Sequence, residues 1–208
     1  MKGHKWFAAI YDRLSESAER KFAGAIREEM LADVRGEVLE IGAGTGANFP
    51  YYKEGARVIA SEPDPYMMRR AEKRATETTA NIELRRVAAE DLPFPDASFD
   101  FVICTFVLCS VKDPRKVLME IKRVLKPSGE LRAYEHVRYK NPIGALGQDL
   151  VLPLWRWLGA GCHPNRDTER LIREAGFKVT SMQLRNELPP IPPMIFLRPH
   201  LQLVAALI

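Results

Sequence analysis

The residues best placed for chemistry lie in the run Glu40-Ile41-Gly42-Ala43-Gly44-Thr45-Gly46. Glycines at alternate positions let a backbone turn sharply and approach a ligand closely. They follow EVLEI (37–41), which reads as a short buried strand, so the turn falls at the carboxyl end of a strand, where open α/β sheets bind ligands. Gly42, Gly44 and Ala47 also fit the dinucleotide spacing GxGxxG/A, so the turn alone does not identify the ligand. Two acids narrow the choice. Glu62 ends the next apolar run, RVIASE (57–62), where a carboxylate can accept both hydroxyls of a ribose. Glu40 lies inside the first strand, which dinucleotide folds usually keep apolar, and suits a ligand carrying an amino-acid ammonium group.

A second group of candidates lies further along. His136 follows a strand at the same end of the sheet, and histidine titrates near neutrality, so it is the first candidate for a general base. Glu135 is the alternative, because adjacent strand residues face opposite sides. Trp155, Cys162, His163 and His200 are placed along an acceptor pocket. Cys104 and Cys109 read as core packing. Three cysteines with no CxxC spacing read as reduced thiols in a cytoplasm-like compartment, and no Cys/His run has zinc-ligand spacing, so no metal is expected.

Elements that position these residues follow from the pattern. Residues 15–32 carry Ala18, Phe22, Ala25, Ile26 and Met30 at helical spacing. Pro65 opens a helix to about Thr76, NIELRRVA (81–88) is a third strand, and SFDFVICTFVL (98–108) contains a fourth, apolar enough to be central. Asp113-Pro114 starts a helix that Pro127-Ser128-Gly129 stops. GELRAYEHV (129–137) is the fifth strand, FKVTSMQLR (177–185) the sixth, and HLQLVAALI (200–208) the last. Strands alternating with helices imply βαβ units and a mostly parallel sheet. The proline- and tryptophan-rich stretch 138–166 breaks the rhythm and reads as an inserted helical lid, with a helix from Asp167 to Ala175 after it.

A chain of 208 residues that is 46% hydrophobic fits one domain with a full core: 1–208, with a helical cap at 1–35 and the lid at 138–166. The net charge of +4 is scattered, without the basic stripe and interleaved aromatics of a nucleic-acid groove, so no nucleic-acid partner is expected. The first residues hold no signal-peptide core, and no run reaches the roughly 18 to 20 apolar residues needed to span a bilayer.

The LEIGAGTG segment (39–46), AEDLPFPDASFD (89–100) and LKPSGEL (125–131) together resemble the type 11 branch of class I S-adenosylmethionine (SAM)-dependent methyltransferases. That resemblance implies a Rossmann-like seven-stranded sheet of order 3-2-1-4-5-7-6, strand seven antiparallel, with helices on both faces. It implies SAM as cofactor and S-adenosylhomocysteine as product. By the same resemblance Gly42, Gly44 and Gly46 line the methionine part, Glu62 binds the ribose, and Pro63, Ala89 and Glu90 edge the adenine. Thr105 and Phe106 lie beside the methyl donor, and Tyr11 covers the cofactor. Ala88 stands where many relatives carry an acid, so that contact to the adenine is not expected.

Four less common segments narrow the resemblance: Cys104 to Lys112, Glu135-His136-Val137, Gly161-Cys162 with Asn165 to Thr168, and Arg198-Pro199-His200. They are similar to the methyltransferase-like family that includes the animal microsomal alkyl-thiol S-methyltransferases. The resemblance implies a small-molecule acceptor, a thiol or sulfide, with N-, O- or C-methylation of a phospholipid, quinone precursor or other metabolite as the alternative, and a non-catalytic SAM-binding protein as the third. The animal proteins' hydrophobic N-terminal anchor has no counterpart in these residues, so the expected location is cytoplasmic. An aromatic-rich lid also suits peripheral contact with a membrane surface. Oligomeric state is not readable from the sequence.

Overall fold

The computed structural model describes residues 23–159, 161–186 and 194–208. Seven strands form one sheet: β1 (Gly36–Ile41), β2 (Ala56–Ser61), β3 (Asn81–Arg85), β4 (Phe99–Thr105), β5 (Leu125–His136), β6 (Phe177–Arg185) and β7 (His200–Leu207). Their order is β3-β2-β1-β4-β5-β7-β6, as the resemblance implies. The first five run parallel, and β7 inserts antiparallel between β5 and β6. The last strand therefore contacts β5 as well as the sixth strand, and brings His200 opposite His136 in register.

Helices cover both faces because strand side chains alternate. Leu39 and Ile41 of β1 face a cluster built with α3 (Pro114–Val124) and α5 (Thr168–Glu174), through Val117, Leu118, Ile121 and Ile172. Val38 faces the opposite cluster, with Ile26, Met30 and Leu31 of α1 (Gly24–Leu31) and Ala71 of α2 (Pro65–Thr76). Of the helix expected over 15–32 only α1 is described, and Tyr11 lies outside the described residues. The third strand ends at Arg85, three residues short of expectation, and β4 ends at Thr105 because Phe106 turns to a positive φ of 58°. The fifth strand starts early, at Leu125, since Pro127-Ser128-Gly129 forms an irregularity inside it, not the end of a helix.

The lid segment contains one helix, α4 (Pro142–Leu158). Its inner face is anchored by a buried glutamine: Gln148 Oε1 accepts from Tyr139 N at 2.9 Å, and its Nε2 faces the carbonyls of Val137, Pro164 and Phe196. Arg138 clasps Asp149 with two bonds of 2.7 Å. Leu150, Leu154 and Trp157 of this helix point outward, 74%, 62% and 71% exposed. No helix among the described residues is long and apolar enough to cross a membrane.

The start of α3 shows how locally the elements are specified. Asp113 accepts from the backbone N–H groups of Arg115 and Lys116, both at 3.1 Å, and Pro114 occupies the first turn, where no N–H is needed. Asp113→Ala is expected to cost about 1 kcal/mol in equilibrium denaturation, the usual value of a lost N-cap; an unchanged midpoint would show that the bonds carry no stability.

Candidate active site

The glycine turn after β1 winds through positive φ at Gly42 (63°), Gly44 (59°) and Gly46 (80°). At Gly42 a side chain would also collide with Val107, whose Cγ2 lies 2.8 Å from the Cβ position. At Gly44 the corresponding position meets nothing nearer than the Gly42 carbonyl at 4.0 Å, so this residue opens onto space. That space is a cleft lined by Arg27, Glu40, Gly44, Thr45, Asn48 and Thr105, among others.

A buried polar network forms its floor. Glu40 accepts from Asn48 Nδ2 at 3.0 Å and from the Tyr52 hydroxyl at 2.8 Å. Asn48 also donates to Thr105 Oγ1 at 3.1 Å and accepts from Arg27. Burial pushes the Glu40 carboxyl up to about 7, against the pull of Tyr52, Asn48 and Arg27. Arg27 and Asn48 were not among the expected residues. Arg27 sits beside the apolar stripe of its helix and Asn48 follows the glycines, with no spacing rule marking either.

Glu62 stands just past β2 and is joined to the turn. Its carboxylate accepts from Gly44 N at 2.9 Å and Asp64 N at 2.8 Å. Burial raises its pKa, and those two amides oppose the shift. Pro63 follows it, and Asp64 caps α2. Ala89 is buried and Glu90 half-buried in the loop beyond β3. Of the expected cofactor residues, Glu40, Gly42, Gly44 and Thr105 line the cleft, Glu62 is bonded to it, and Gly46 turns behind it against the Phe49 ring.

Glu135 is placed differently from a proton acceptor. It is fully buried, and its two oxygens accept from the backbone N–H groups of Val107 (2.9 Å), Leu108 (2.8 Å) and Cys109 (3.1 Å). Burial raises its pKa, and the three amides counter it. Glu135 thus positions the turn after β4, and we read it as a positioning residue.

That turn carries Phe106, whose ring lies 4.6 Å from His136 and 5.5 Å from His200 by centroid. His136 turns Nδ1 toward two sulfurs, Cys109 Sγ at 3.6 Å and Cys162 Sγ at 3.7 Å. The sulfurs are 3.7 Å apart. Burial pushes the Cys109 thiol up, while the contact between the two sulfurs draws Cys162 down, helped by His136 and Trp155. His200 is buried and held neutral by that burial. His163 is fixed by its backbone N–H, which donates to the Cys109 carbonyl at 2.7 Å. The fold gathers Cys109, His136 and Cys162 from separate segments, and Cys109 is buried in the core, as expected. A second cavity of about 210 Å³, lined by Tyr139, Asp167, Thr168, Met182 and Leu184 among others, shares no lining residue with the glycine cleft.

Glu40 has a measurable signature. Below pH 4.5 it is protonated in folded and unfolded chains alike, and between pH 4.5 and about 7 only the unfolded chain ionises. Folding therefore loses up to about 3 kcal/mol across that window and nothing further above it. Glu40→Gln should gain stability relative to the parent protein as pH rises from 5 to 8, by denaturant titration at each pH. A pH-independent difference would place Glu40 in contact with water.

Comparison with known proteins agrees with this geometry. A family model described as "Methyltransferase domain" matches residues 39–133, from the glycine turn into β5. The human thiol S-methyltransferase TMT1B is 37% identical over 186 residues, covering 86% of this chain and 75% of that protein. A phosphatidylethanolamine N-methyltransferase of Cereibacter sphaeroides is 34% identical over 150 residues, 69% of this chain and 71% of that one. Among solved structures, a chain of the complex between the Haloferax volcanii Trm112 methyltransferase activator and a methyltransferase aligns with a TM-score of 0.72 at 21% identity, over 97% and 95% of the two chains. The solved structure speaks for the fold; the identity to TMT1B over three quarters of its length decides the family, and this chain belongs to the SAM-dependent methyltransferases, in the family that contains the thiol S-methyltransferases.

Proposed function

We propose that this enzyme transfers the methyl group of SAM to a small thiol or sulfide acceptor. SAM, when bound, supplies an electrophilic methyl group on a positively charged sulfur. The cleft fits it: Gly44 leaves room where a Cβ would intrude, Arg27 offers a cation for the methionine carboxylate, and Glu40 a counter-charge for its ammonium. Glu62 keeps lone pairs for the ribose hydroxyls after serving two amides.

The observation that carries the acceptor class is the chemistry around Phe106. The carboxylate at the end of β5, Glu135, is fully engaged by backbone amides, and beside Phe106 lie the His136 ring and, buried behind it, the Cys109 and Cys162 sulfurs. Such a site suits an acceptor needing little help to ionise. Thiols qualify, with a reference pKa of about 8.5, whereas alcohols do not. Thiolate and sulfonium charges cancel as the new bond forms, so surroundings poor in water favour the reaction. Catalysis is then chiefly alignment of acceptor and methyl group. His136 is the remaining candidate to take a proton where the acceptor arrives protonated. Identity to a thiol S-methyltransferase supports the same reading.

A second reading has its own observation. Ile143, Leu146, Leu150, Leu154 and Trp157 form an exposed apolar stripe along α4. That stripe supports resting on a membrane surface, with a lipid acceptor, as in the Cereibacter sphaeroides relative. The three free cysteines support a reducing, cytoplasmic location for the chain on either reading.

Two measurements test the proposal. Purified protein with SAM should form S-adenosylhomocysteine when given sulfide or a simple alkyl thiol, and not when given an amine or phenol; turnover of amines or phenols without a thiol product overturns the acceptor class. Gly44→Val should weaken SAM binding by more than about tenfold, because a β-branched residue at positive φ is strained by about 1–2 kcal/mol and also fills the cleft. Near-normal affinity in that variant would move the cofactor elsewhere.

A further inference from the structure

Cys109, His136 and Cys162 reach one point from the turn after β4, the end of β5 and the segment after α4. Their ligating atoms form a nearly equilateral triangle, with edges of 3.7 Å between the sulfurs and 3.6 and 3.7 Å from them to His136 Nδ1. A circle through three such points has a radius of about 2.1 Å, and zinc binds thiolate sulfur at about 2.3 Å and imidazole nitrogen at about 2.0–2.1 Å. An ion slightly above the triangle reaches all three atoms with no movement of the chain. The edges also match a face of a zinc-centred tetrahedron, about 3.8 Å between sulfurs and about 3.6 Å between sulfur and nitrogen. A disulfide, in contrast, would bring the sulfurs to about 2.05 Å and would not call for a ring nitrogen equidistant from both.

We propose that Cys109, His136 and Cys162 bind one thiophilic divalent cation of the zinc class and leave a fourth coordination position for a small exogenous ligand. Two thiolates and an imidazole, with no oxygen donor, select zinc over magnesium or calcium. Three protein ligands are the composition of an open zinc site, where structural sites carry four. The ligands are held in advance. Glu135 accepts from the Cys109 backbone N–H at 3.1 Å, the His163 N–H donates to the Cys109 carbonyl at 2.7 Å, and the His136 ring packs against Phe106 and His200 at 4.6 and 4.8 Å. Such outer support fixes ring and sulfur directions before an ion arrives. Cys109 and Cys162 are 0% and 6% exposed, while half-buried His136 leaves a way in.

A soft ion prefers a soft fourth ligand, and the acceptor thiol supplies one; this second part rests on the thiol-acceptor reading, whereas the ion site does not. On coordination the thiol releases its proton to solvent. Its sulfur then forms the bond to the methyl carbon as the carbon–sulfonium bond breaks, and that electron pair returns to the former sulfonium sulfur, leaving two neutral thioethers.

The test uses the full chain, reduced and then loaded with cobalt(II) as a spectroscopic probe. The expected result is a near-ultraviolet thiolate-to-cobalt band with the strong visible bands of a tetrahedral site, removed by competing zinc. Cys109→Ser and Cys162→Ser should each weaken zinc binding on the order of 100-fold or more, beyond the loss typical of outer-shell partners. A chelator should abolish the bands of the parent protein reversibly, which checks the site even where a variant folds poorly. Adding 2-mercaptoethanol should shift the visible bands. No bands in the reduced parent protein, or bands that persist in both serine variants, overturn the ion site whether or not thiols are methylated. Bands that ignore 2-mercaptoethanol overturn the fourth-ligand part alone. Intact bands in a protein that methylates no thiol overturn the acceptor reading and leave the ion site standing.

Discussion

A carboxylate removed from water must be given hydrogen-bond donors or take up a proton. Three glutamates at the carboxyl edge of the sheet impose that condition on the loops around them. Glu40 in β1, Glu62 just after β2 and Glu135 in β5 are 2%, 7% and 0% exposed. Each satisfies the condition by recruiting a neighbouring loop: Glu40 takes the Asn48 and Tyr52 side chains, Glu62 the backbone of Gly44 and Asp64, and Glu135 three consecutive amides after β4. Burial raises the pKa of all three, that of Glu40 to about 7. Glu40 is served by side chains and the other two by backbone groups.

These anchors place two chemical environments side by side on one edge. On the β1 side the floor is polar, built of Glu40, Asn48, Arg27 and Thr105. On the β5 side the Phe106 and His200 rings pack on His136, which meets the sulfurs of Cys109 and Cys162. Phe106, at a positive φ that non-glycine residues rarely adopt, stands where β4 gives way to its turn. A polar half suits a zwitterionic cofactor and a sulfur-rich half suits a soft acceptor, and β4 is the strand that connects them. The antiparallel β7 completes the second half by setting His200 beside His136.

Much of this was legible in the sequence. The glycine turn, Glu62, the Pro65 helix start and the Asp113 cap obey local rules of spacing and stereochemistry, and the resemblance supplied the strand order. What escaped depended on tertiary placement. Arg27 and Asn48 carry no pattern, because each is defined by the partner it meets across the fold. Glu135 looked like a candidate for proton transfer because alternation tells which face a residue takes, not which donors wait there. The Cys109–His136–Cys162 group was invisible for the same reason, its members lying 26 and 27 positions from the histidine. The lid helix turns apolar residues outward and makes its inward anchor with a glutamine, Gln148, a choice that apolar content alone does not signal.

The most direct measurement is a crystal structure of the full chain with S-adenosylhomocysteine. The expected density places the amino-acid end on the Gly42–Gly46 turn beside Arg27 and Asn48, with the ribose hydroxyls on Glu62 and the sulfur toward Thr105 and Phe106. Product bound away from the glycine turn, or a ribose without Glu62, would contradict the cofactor site derived from the carboxyl edge of this sheet.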